Sequence, residues 1–312
     1  MNSDWNSFLA QQNLDNAPLQ ADCALCAIPD QGLIRIGGED AREYLQGQLT
    51  NDINLVDENS GQLSALCNPK GRMFASLLIF QRGEDIYLQL PVERLDAILK
   101  RMRMFVLRSR VVLEDASDEL VVIGLSGDCI HRLISQVPEG AMQQITLDGL
   151  SLIRMPGELP RVQLLGSLDS ILAFWRQVRP EVTLVNGDFW ALQNIREGLP
   201  SVYDSTAEAF IPQTLNLQLL GGINFNKGCY TGQEVIARMK YLGQLKRRMY
   251  LAHFDTEARP APGDRLYSAS SKSGQGAGQI VDVRPDPSGG YLALVMIQIS
   301  TAAVSYTHLT LP

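Results

Sequence analysis

The sequence predicts an α+β protein with mainly antiparallel sheets, followed by a small all-β domain. Three observations support this prediction. Strand-like segments come in pairs joined by short turns, and helical segments interrupt the pairs without regular β-α-β alternation. After Gly243, only short strands between Pro- and Gly-rich turns remain, which is typical of a small barrel. We therefore divide the chain into a region of residues 1–242 and a C-terminal β-barrel of residues 243–312.

In the first part of the chain, the opening twenty residues are polar and read as a loop. Asp40 can cap a short helix that carries Tyr44 and Leu45 and stops near Gly47. The turn sequence Asn-Pro-Lys-Gly at residues 68–71 joins two apolar strand-like runs. The predicted strands are residues 33–36, 63–67, 73–80, 86–90, 105–113 and 120–125, and a helix opens at Pro91 with Leu95, Ile98, Leu99 and Met102 on one face.

In the second part, helices and strands again alternate irregularly, and after residue 243 only short strands between turns are predicted. Helices are predicted at residues 130–137, 170–178 and 190–195, and strands at 150–154, 161–165, 248–254, 265–268, 278–283 and 291–299. A small barrel needs paired edge strands, and little sequence follows residue 299. We expect the barrel to be incomplete or to carry a non-native tail.

Composition narrows the class of protein. The 312 residues are 45% hydrophobic and 20% charged, with a formal net charge of −7. This argues against an extended surface that coats nucleic acid, although basic groups at residues 100–110 and 238–248 can be solvated faces or contacts for an RNA backbone. No apolar run approaches the roughly 20 residues that cross a bilayer, and residues 1–12 lack a secretory signal. The predicted location is the cytoplasm.

The cysteine pattern predicts no metal site. Five scattered cysteines do not form the framework of a small secreted protein. Cys23 and Cys26 form one C-x-x-C without a second pair, whereas structural zinc uses four ligands. Cys67 and Cys129 lie among apolar neighbours, so we predict that both are buried and have no chemical role. The histidines show no ligand spacing, and no Walker A, G-x-S-x-G or HExxH sequence occurs.

The most informative segment is KGCYTGQE, residues 227–234, which places Cys229 before a predicted helix. Thr231 and Glu234 have the spacing of a capping box, so the helix should begin near Gly232. A helix N-terminus and the adjacent Lys227 both favour a thiolate, and we expect them to lower the pKa of Cys229. The residues alone leave four roles open for this sulfur: nucleophile, redox thiol, metal ligand or turn residue.

This octapeptide, with Arg238, Gly243 and the Arg pair at 247–248, resembles the signature of the YgfZ family. These are folate-binding proteins related to the glycine-cleavage T-protein, an aminomethyltransferase. Further matching segments are YLQGQLTND at residues 44–52, NPKGR at 68–72, residues 190–200, FIPQ at 210–213 and NLQ at 216–218. The similarity extends from about residue 34 to residue 299.

The resemblance implies two α+β lobes around a central tetrahydrofolate pocket, plus the C-terminal barrel. It implies a cytoplasmic protein that supports tRNA thiomethylation and the synthesis or repair of iron–sulfur enzymes, such as tRNA methylthiotransferases. Direct contact with tRNA is left open. The candidate catalytic residues are Cys229 and Lys227, and the candidate folate-binding residues are Trp190, Glu197, Gln233, Arg238 and Asp52.

Two other functions remain as alternatives. The first is a tetrahydrofolate-dependent aminomethyltransferase of the glycine-cleavage type. Relatives of that type carry a pterin-binding glutamate in an E-A-G segment and lack the cysteine, whereas Glu197 stands one position later and Cys229 is present. The second is a folate-binding scaffold without chemistry of its own.

Overall fold

The computed structural model describes residues 2–12, 14, 17–267 and 276–302. The chain forms two compact units, each built from several segments. The first comprises the chain up to Leu45, Ile53–Leu63 and Leu77–Ala191, and the second comprises Gln46–Asp52, Ser64–Ser76 and the chain from Leu192 onward. The domain boundary between residues 242 and 243 lies inside the second unit and stays a prediction.

In chain order, the helices are α1 (Ser3–Ala10), α2 (Ala41–Gln46), α3 (Val92–Arg103), α4 (Ile130–Leu133), α5 (Leu168–Val178), α6 (Gly187–Arg196), α7 (Gln233–Tyr241) and α8 (Ile299–Ala302). The strands are β1 (Ala24–Ala27), β2 (Gln31–Gly37), β3 (Gln62–Cys67), β4 (Met73–Arg82), β5 (Asp85–Pro91), β6 (Val112–Asp115), β7 (Val121–Ser126), β8 (Gln144–Leu147), β9 (Leu150–Arg154), β10 (Arg161–Gly166), β11 (Thr183–Val185), β12 (Arg247–Phe254), β13 (Arg265–Leu266), β14 (Gly278–Pro285) and β15 (Tyr291–Gln298).

The strands form sheets that are mainly antiparallel. One sheet of the first unit has the order β11-β1-β7-β10-β9-β8, in which only the β1–β11 pair is parallel. A second sheet has the order β3-β4-β5-β2-β6. In the second unit, β12-β15-β14-β13 forms a curled four-stranded sheet. The predicted α+β class with a small C-terminal β structure is confirmed.

The N-terminal segment is helical, although its polar sequence predicted a loop. The side-chain oxygen of Asn2 accepts the backbone N–H groups of Asp4 and Trp5, both at 3.1 Å, and so caps α1. Trp5 is buried, and its ring stacks on Phe8 at 5.4 Å and meets the edge of Trp175 at 5.6 Å. Aromatic packing onto the first unit's core explains a helix that periodicity alone does not reveal.

The strand predicted at residues 105–113 is wrong over most of its length, because the chain turns there. Leu107 has a φ of 50° and is 86% exposed. Asp40 directly precedes α2, as predicted, and its carbonyl accepts the N–H of Tyr44 at 2.9 Å, but its carboxylate accepts the backbone N–H of Arg110 at 2.7 Å. This bond fixes the turn, and the strand begins only at Val112.

The prediction that Cys129 has no chemical role is wrong, because Cys129 forms a disulfide with Cys23, 106 positions earlier in the sequence. Cys26 and Cys67 are free and buried, as predicted for Cys67. Burial raises the pKa of Cys26 to about 12 and also raises the pKa of Cys67. Within the described residues, no group of His, Cys, Asp and Glu side chains could hold a metal ion. None of the helices there is long and apolar enough to cross a membrane.

Candidate functional site

The octapeptide lies in the second unit, and one of its own side chains and one that follows it anchor it to that unit's core. Tyr230 and Ile236 are buried in a hydrophobic cluster that also contains Cys67, Phe210 and Met296. Tyr230 lies within the loop and Ile236 lies in the first turn of α7. The segment between them is therefore held at both ends by apolar packing.

Helix α7 begins one residue after Gly232, as predicted, but the capping box does not form. The N-cap residue is Gly232, with a φ of 88°, and no side chain caps the helix. The backbone N–H of Thr231 donates to Gly47 O at 3.2 Å, and the Glu234 carboxylate accepts from Arg238 at 2.6 Å. A glycine at the N-cap offers no side-chain acceptor to the helix. Thr231 and Glu234, the residues of the expected box, make the other contacts just described.

Gly232 is required by close backbone packing. A Cβ at this position would lie 2.6 Å from Asn68 O and 3.1 Å from Gly71 Cα. Its positive φ is a conformation that residues with a Cβ adopt at a cost. Gly228 differs, because a Cβ there would meet nothing within 4 Å and its φ is not positive. Of the two glycines beside Cys229, only Gly232 shapes the loop sterically.

Gly232 packs against the turn at residues 68–72, which is itself held by one asparagine. Asn68 Oδ1 accepts the backbone N–H groups of Lys70 and Arg72, at 2.8 and 3.0 Å. Its Nδ2 donates to Glu208 at 2.5 Å. The turn predicted from this sequence is thus a rigid surface on which the octapeptide rests.

Lys227 holds a neighbouring loop together. Its ammonium Nζ donates to the backbone carbonyls of Gln46, Leu49 and Asn51, each at 2.8 Å, and the residue is 8% exposed. The Tyr230 ring centroid lies 5.1 Å from the same nitrogen. Three carbonyls use all three N–H groups of an ammonium, so the contacts of Lys227 serve the shape of the loop.

The electrostatics of Lys227 reflect its burial. Loss of solvation lowers its pKa to about 8, and the nearby Asp52 carboxylate opposes this shift. Asp52 is half-buried, and its Oδ1 accepts from the Gln46 side chain at 2.9 Å. Asp52 and Lys227 are therefore brought together, as two charges of opposite sign beside one buried loop.

The same loop is bonded to the segment that precedes the octapeptide. Thr50 Oγ1 donates to Gly222 O at 2.8 Å, and Asn51 Nδ2 donates to Gly221 O at 2.7 Å. The backbone N–H of Asn224 donates to Thr50 O at 3.0 Å. These contacts join two stretches that are about 170 residues apart in sequence, and nothing in the spacing of the sequence predicts them.

Cys229 is the exposed thiol of this loop. Among the free cysteines, Cys26 and Cys67 are buried, whereas Cys229 is accessible to solvent. It lies four residues before the first residue of α7. An accessible sulfur on a loop that is anchored on both sides is suited to chemistry with a bound or incoming reagent.

Trp190 belongs to the first unit, where it is 3% exposed. A Cβ on Gly124 would lie 2.4 Å from its ring, so Gly124 leaves room for the indole. The guanidinium carbon of the fully buried Arg161 lies 5.0 Å from the ring centroid. The glycine and the arginine both pack on this tryptophan, and no local sequence pattern predicts either contact.

The other candidate residues lie along the second unit. Glu197 is half-buried and directly follows α6. Gln233 is the first residue of α7, and its backbone N–H donates to Tyr230 O at 3.1 Å. Arg238 is exposed and pairs with Glu234. Of the predicted residues, the structure brings Asp52 near enough to Lys227 for the carboxylate to counter the lowering of the lysine pKa by burial. It keeps Cys229 and Gln233 on the same loop and helix start.

Comparison with known proteins adds evidence from sequence and from fold. A scan against protein-family profiles finds no match. The tRNA-modifying protein YgfZ of Colwellia psychrerythraea is 31% identical over 261 residues, covering 82% of this chain and 80% of the relative. YgfZ of Klebsiella pneumoniae is 34% identical over 249 residues, covering 78% of this chain and 75% of the relative.

Among solved structures, the glycine cleavage system aminomethyltransferase T from Bartonella henselae superposes with a TM-score of 0.76. The superposition covers 94% of this chain and 82% of that one, at 16% sequence identity. At this identity the likeness concerns the fold. The sequence relatives carry the assignment: the chain belongs to the YgfZ family of tRNA-modifying proteins, and it has an aminomethyltransferase T-type fold.

Proposed function

We propose that this protein binds tetrahydrofolate in the cytoplasm and supports tRNA modification, specifically thiomethylation, together with the synthesis or repair of iron–sulfur enzymes. Cys229 is its reactive group. Its partners are iron–sulfur enzymes such as tRNA methylthiotransferases. The observation that carries the proposal is the exposed Cys229 on an anchored loop, in a chain whose relatives are named tRNA-modifying proteins.

The charged side chains of the second unit suit a reduced folate chemically. Asp52 and Glu197 are half-buried carboxylates, and a carboxylate accepts the N–H groups on the amino-pyrimidine edge of a pterin. Arg238 is an exposed cation that can pair with the glutamate tail of a folate. When bound, tetrahydrofolate supplies one-carbon transfer chemistry, while these residues bind and orient it.

We do not propose that the pterin stacks on the ring face of Trp190. Gly124 and Arg161 already pack on its ring, so a pterin contacts it by the edge of the indole unless these groups move. Trp190 is a proposed folate contact of the first unit, made through the edge of its indole. The Gln233 side chain, half-buried at the start of α7, is the remaining candidate contact.

Lys227 is a positioning residue in this proposal. Its three carbonyl contacts hold the loop of residues 46–52, which includes Asp52. Removing the ammonium would take one hydrogen bond from each of three carbonyls, and a hydrogen bond to a charged group typically contributes about 1.5–3 kcal/mol. Lys227 thus acts on folate binding through Asp52 and on the thiol through the shape of the octapeptide.

A titration with reduced folate tests the binding step. We expect the wild-type protein to bind tetrahydrofolate and Asp52→Asn to bind it about tenfold more weakly, because a neutral amide is a poorer acceptor than a carboxylate. Asp255→Asn is the matched control, since Asp255 is an exposed carboxylate of the second unit that belongs to no proposed contact and the charge change is the same. Equal affinities of wild type and Asp52→Asn would remove Asp52 from the site, and absence of binding would end the folate proposal.

Aminomethyl transfer on a lipoyl carrier remains the second candidate, and the aminomethyltransferase T-type fold favours it. The displaced Glu197 and the presence of Cys229 favour the first. The two are separated by mixing the protein with an aminomethyl-lipoyl carrier and tetrahydrofolate. Robust formation of methylenetetrahydrofolate would support the second function and refute the first.

A further inference from the structure

The second unit contains a cavity that the roles proposed for Cys229 and folate do not use. Its volume is about 530 Å³, within the range of roughly 300–1,000 Å³ that is typical of small-molecule sites. It lies beside the C-terminal end of α7 and the start of β12. The side chains that matter to its chemistry are Gln213, Gln218, Phe225, Lys240, Arg248 and Ile299.

Three polar atoms on these side chains are buried and lack a hydrogen-bond partner within the described residues. They are Gln213 Oε1, Gln218 Oε1 and Arg248 Nε. The orientation of the Gln213 amide is fixed, because its Nε2 donates to the carbonyl of Ile236 at 2.6 Å. An unsatisfied buried group costs about 1–3 kcal/mol, and the adjoining cavity is where partners for these atoms can enter.

The cavity also has an aromatic wall with a cation on it. Lys240 Nζ lies 3.9 Å from the ring centroid of Phe225. At this distance the ammonium makes a cation–π contact with one face of the ring. A planar ligand that replaced the ammonium on this face would free Lys240 to pair with a negative charge on the same ligand.

The surroundings are basic, although the whole chain is acidic. Arg238, Lys240, Lys246, Arg247 and Arg248 fall within eleven residues of a chain with net charge −7. Arg238 pairs with Glu234, but Lys246 and Arg247 form no ion pair with any residue that the structure describes. Beside them, Tyr241 is 64% exposed and Leu242 is 86% exposed. Positive charge together with exposed aromatic and apolar side chains is typical of surfaces that bind single-stranded nucleic acid.

We propose that this cavity binds a nucleobase that is splayed out of single-stranded RNA. The base stacks on Phe225, and its edge supplies donors to the two glutamine carbonyls and an acceptor to Arg248. Lys240, Lys246 and Arg247 hold the flanking phosphates. This inference rests on the proposed role in tRNA modification and identifies where the protein would touch its RNA.

The two unpaired glutamine carbonyls predict which bases are preferred. A carbonyl oxygen accepts hydrogen bonds, so it favours a base with an exocyclic amino group, as in adenine, guanine and cytosine. Uracil has no amino group and leaves at least one of the carbonyls unsatisfied. We therefore expect tighter binding of oligo(A) than of oligo(U).

The test is fluorescence anisotropy with labelled six-nucleotide oligo(A) and oligo(U), using the full chain. Phe225→Leu keeps the apolar volume but removes the ring, and we expect it to weaken oligo(A) binding about five- to a hundredfold. Phe225→Tyr keeps the ring and should bind like wild type. The melting temperature of each variant reports whether the fold is intact.

The phosphate contacts are tested by salt dependence. Replacing Lys246 and Arg247 with glutamine should lower the slope of log affinity against log salt by about 0.7 for each cation removed. Lys100→Gln with Arg108→Gln is the matched control, since both lie in the first unit and the charge change is the same. The control pair should leave the slope unchanged.

Several results would overturn the inference. They are the absence of oligo(A) binding, equal binding of oligo(A) by wild type and Phe225→Leu, and an equal loss of salt-dependence slope in both pairs of charge variants. Competition of tetrahydrofolate with oligo(A) would assign the cavity to folate instead, and equal capture of an acidic peptide would make it a protein-binding surface. Failure here leaves the proposed function intact, since the folate titration contains no RNA and the role of the thiol is tested with Cys229→Ser, which does not alter this cavity.

Discussion

Replacing Gly232 with alanine should destabilise the second unit, because the glycine lies where no Cβ fits. The left-handed backbone costs a residue with a Cβ about 1–2 kcal/mol. The added methyl group would lie 2.6 Å from Asn68 O, and relieving such overpacking typically costs about 1–3 kcal/mol. The sum is about 2–5 kcal/mol of unfolding free energy.

The assay is thermal and urea unfolding of Gly232→Ala beside Gly228→Ala. At about 2–4 °C for each kcal/mol, we expect Gly232→Ala to lower the melting temperature by about 4–20 °C. Gly228→Ala should change it little, since a Cβ at 228 meets nothing within 4 Å. Equal effects of the two substitutions, or a stable Gly232→Ala, would refute the steric argument for the loop.

Three further predictions concern the buried lysine and the thiols. Lys227→Met should destabilise the fold by about 3 kcal/mol or more, because three carbonyls each lose the hydrogen bond that the ammonium donates. Lys227→Arg should recover only part of this loss in urea unfolding. The folded pKa of Lys227, about 8, lies below its unfolded value of about 10.4. Unfolding therefore takes up a proton between pH 8 and 10. In this range the unfolding free energy of wild type should rise relative to that of Lys227→Met by up to about 1.4 kcal/mol per pH unit. A fall in this relative free energy would mean that the carbonyls raise the pKa of Lys227 instead. Limiting iodoacetamide at neutral pH should label Cys229 before Cys26 and Cys67, which are buried with raised pKa values, and mass spectrometry of the digested protein would reveal a different order.

Local elements of this fold could be predicted wherever a periodic pattern coincides with burial. The amphipathic face of α3, with Leu95, Ile98, Leu99 and Met102 buried, is as predicted. The turn at residues 68–72 and the start of α7 also follow from local sequence, since glycine and asparagine conformations are local properties. Helix α1 could not be predicted, because Trp5 and Phe8 gain their stability from Trp175, far along the chain.

The sequence pattern selected the candidate residues, but their contacts could not be predicted from it. The octapeptide pointed to Cys229 and Lys227, but local spacing suggested that Lys227 acts on the thiol. Its ammonium instead bonds to the loop of residues 46–52, nearly 180 residues earlier. The disulfide between Cys23 and Cys129 was missed for the same reason, since pairing across 106 residues depends on tertiary structure.

The central claim is that the Cys229 sulfur carries the function of this protein. The most direct test is the level of methylthiolated tRNA nucleosides in a bacterial strain that lacks its own family member and expresses variants of this chain. We expect wild type and Gly228→Ala to restore the modification. Cys229→Ser, which is nearly isosteric, should accumulate as folded protein without restoring it. Full restoration by Cys229→Ser would contradict the claim and leave the octapeptide as a structural turn.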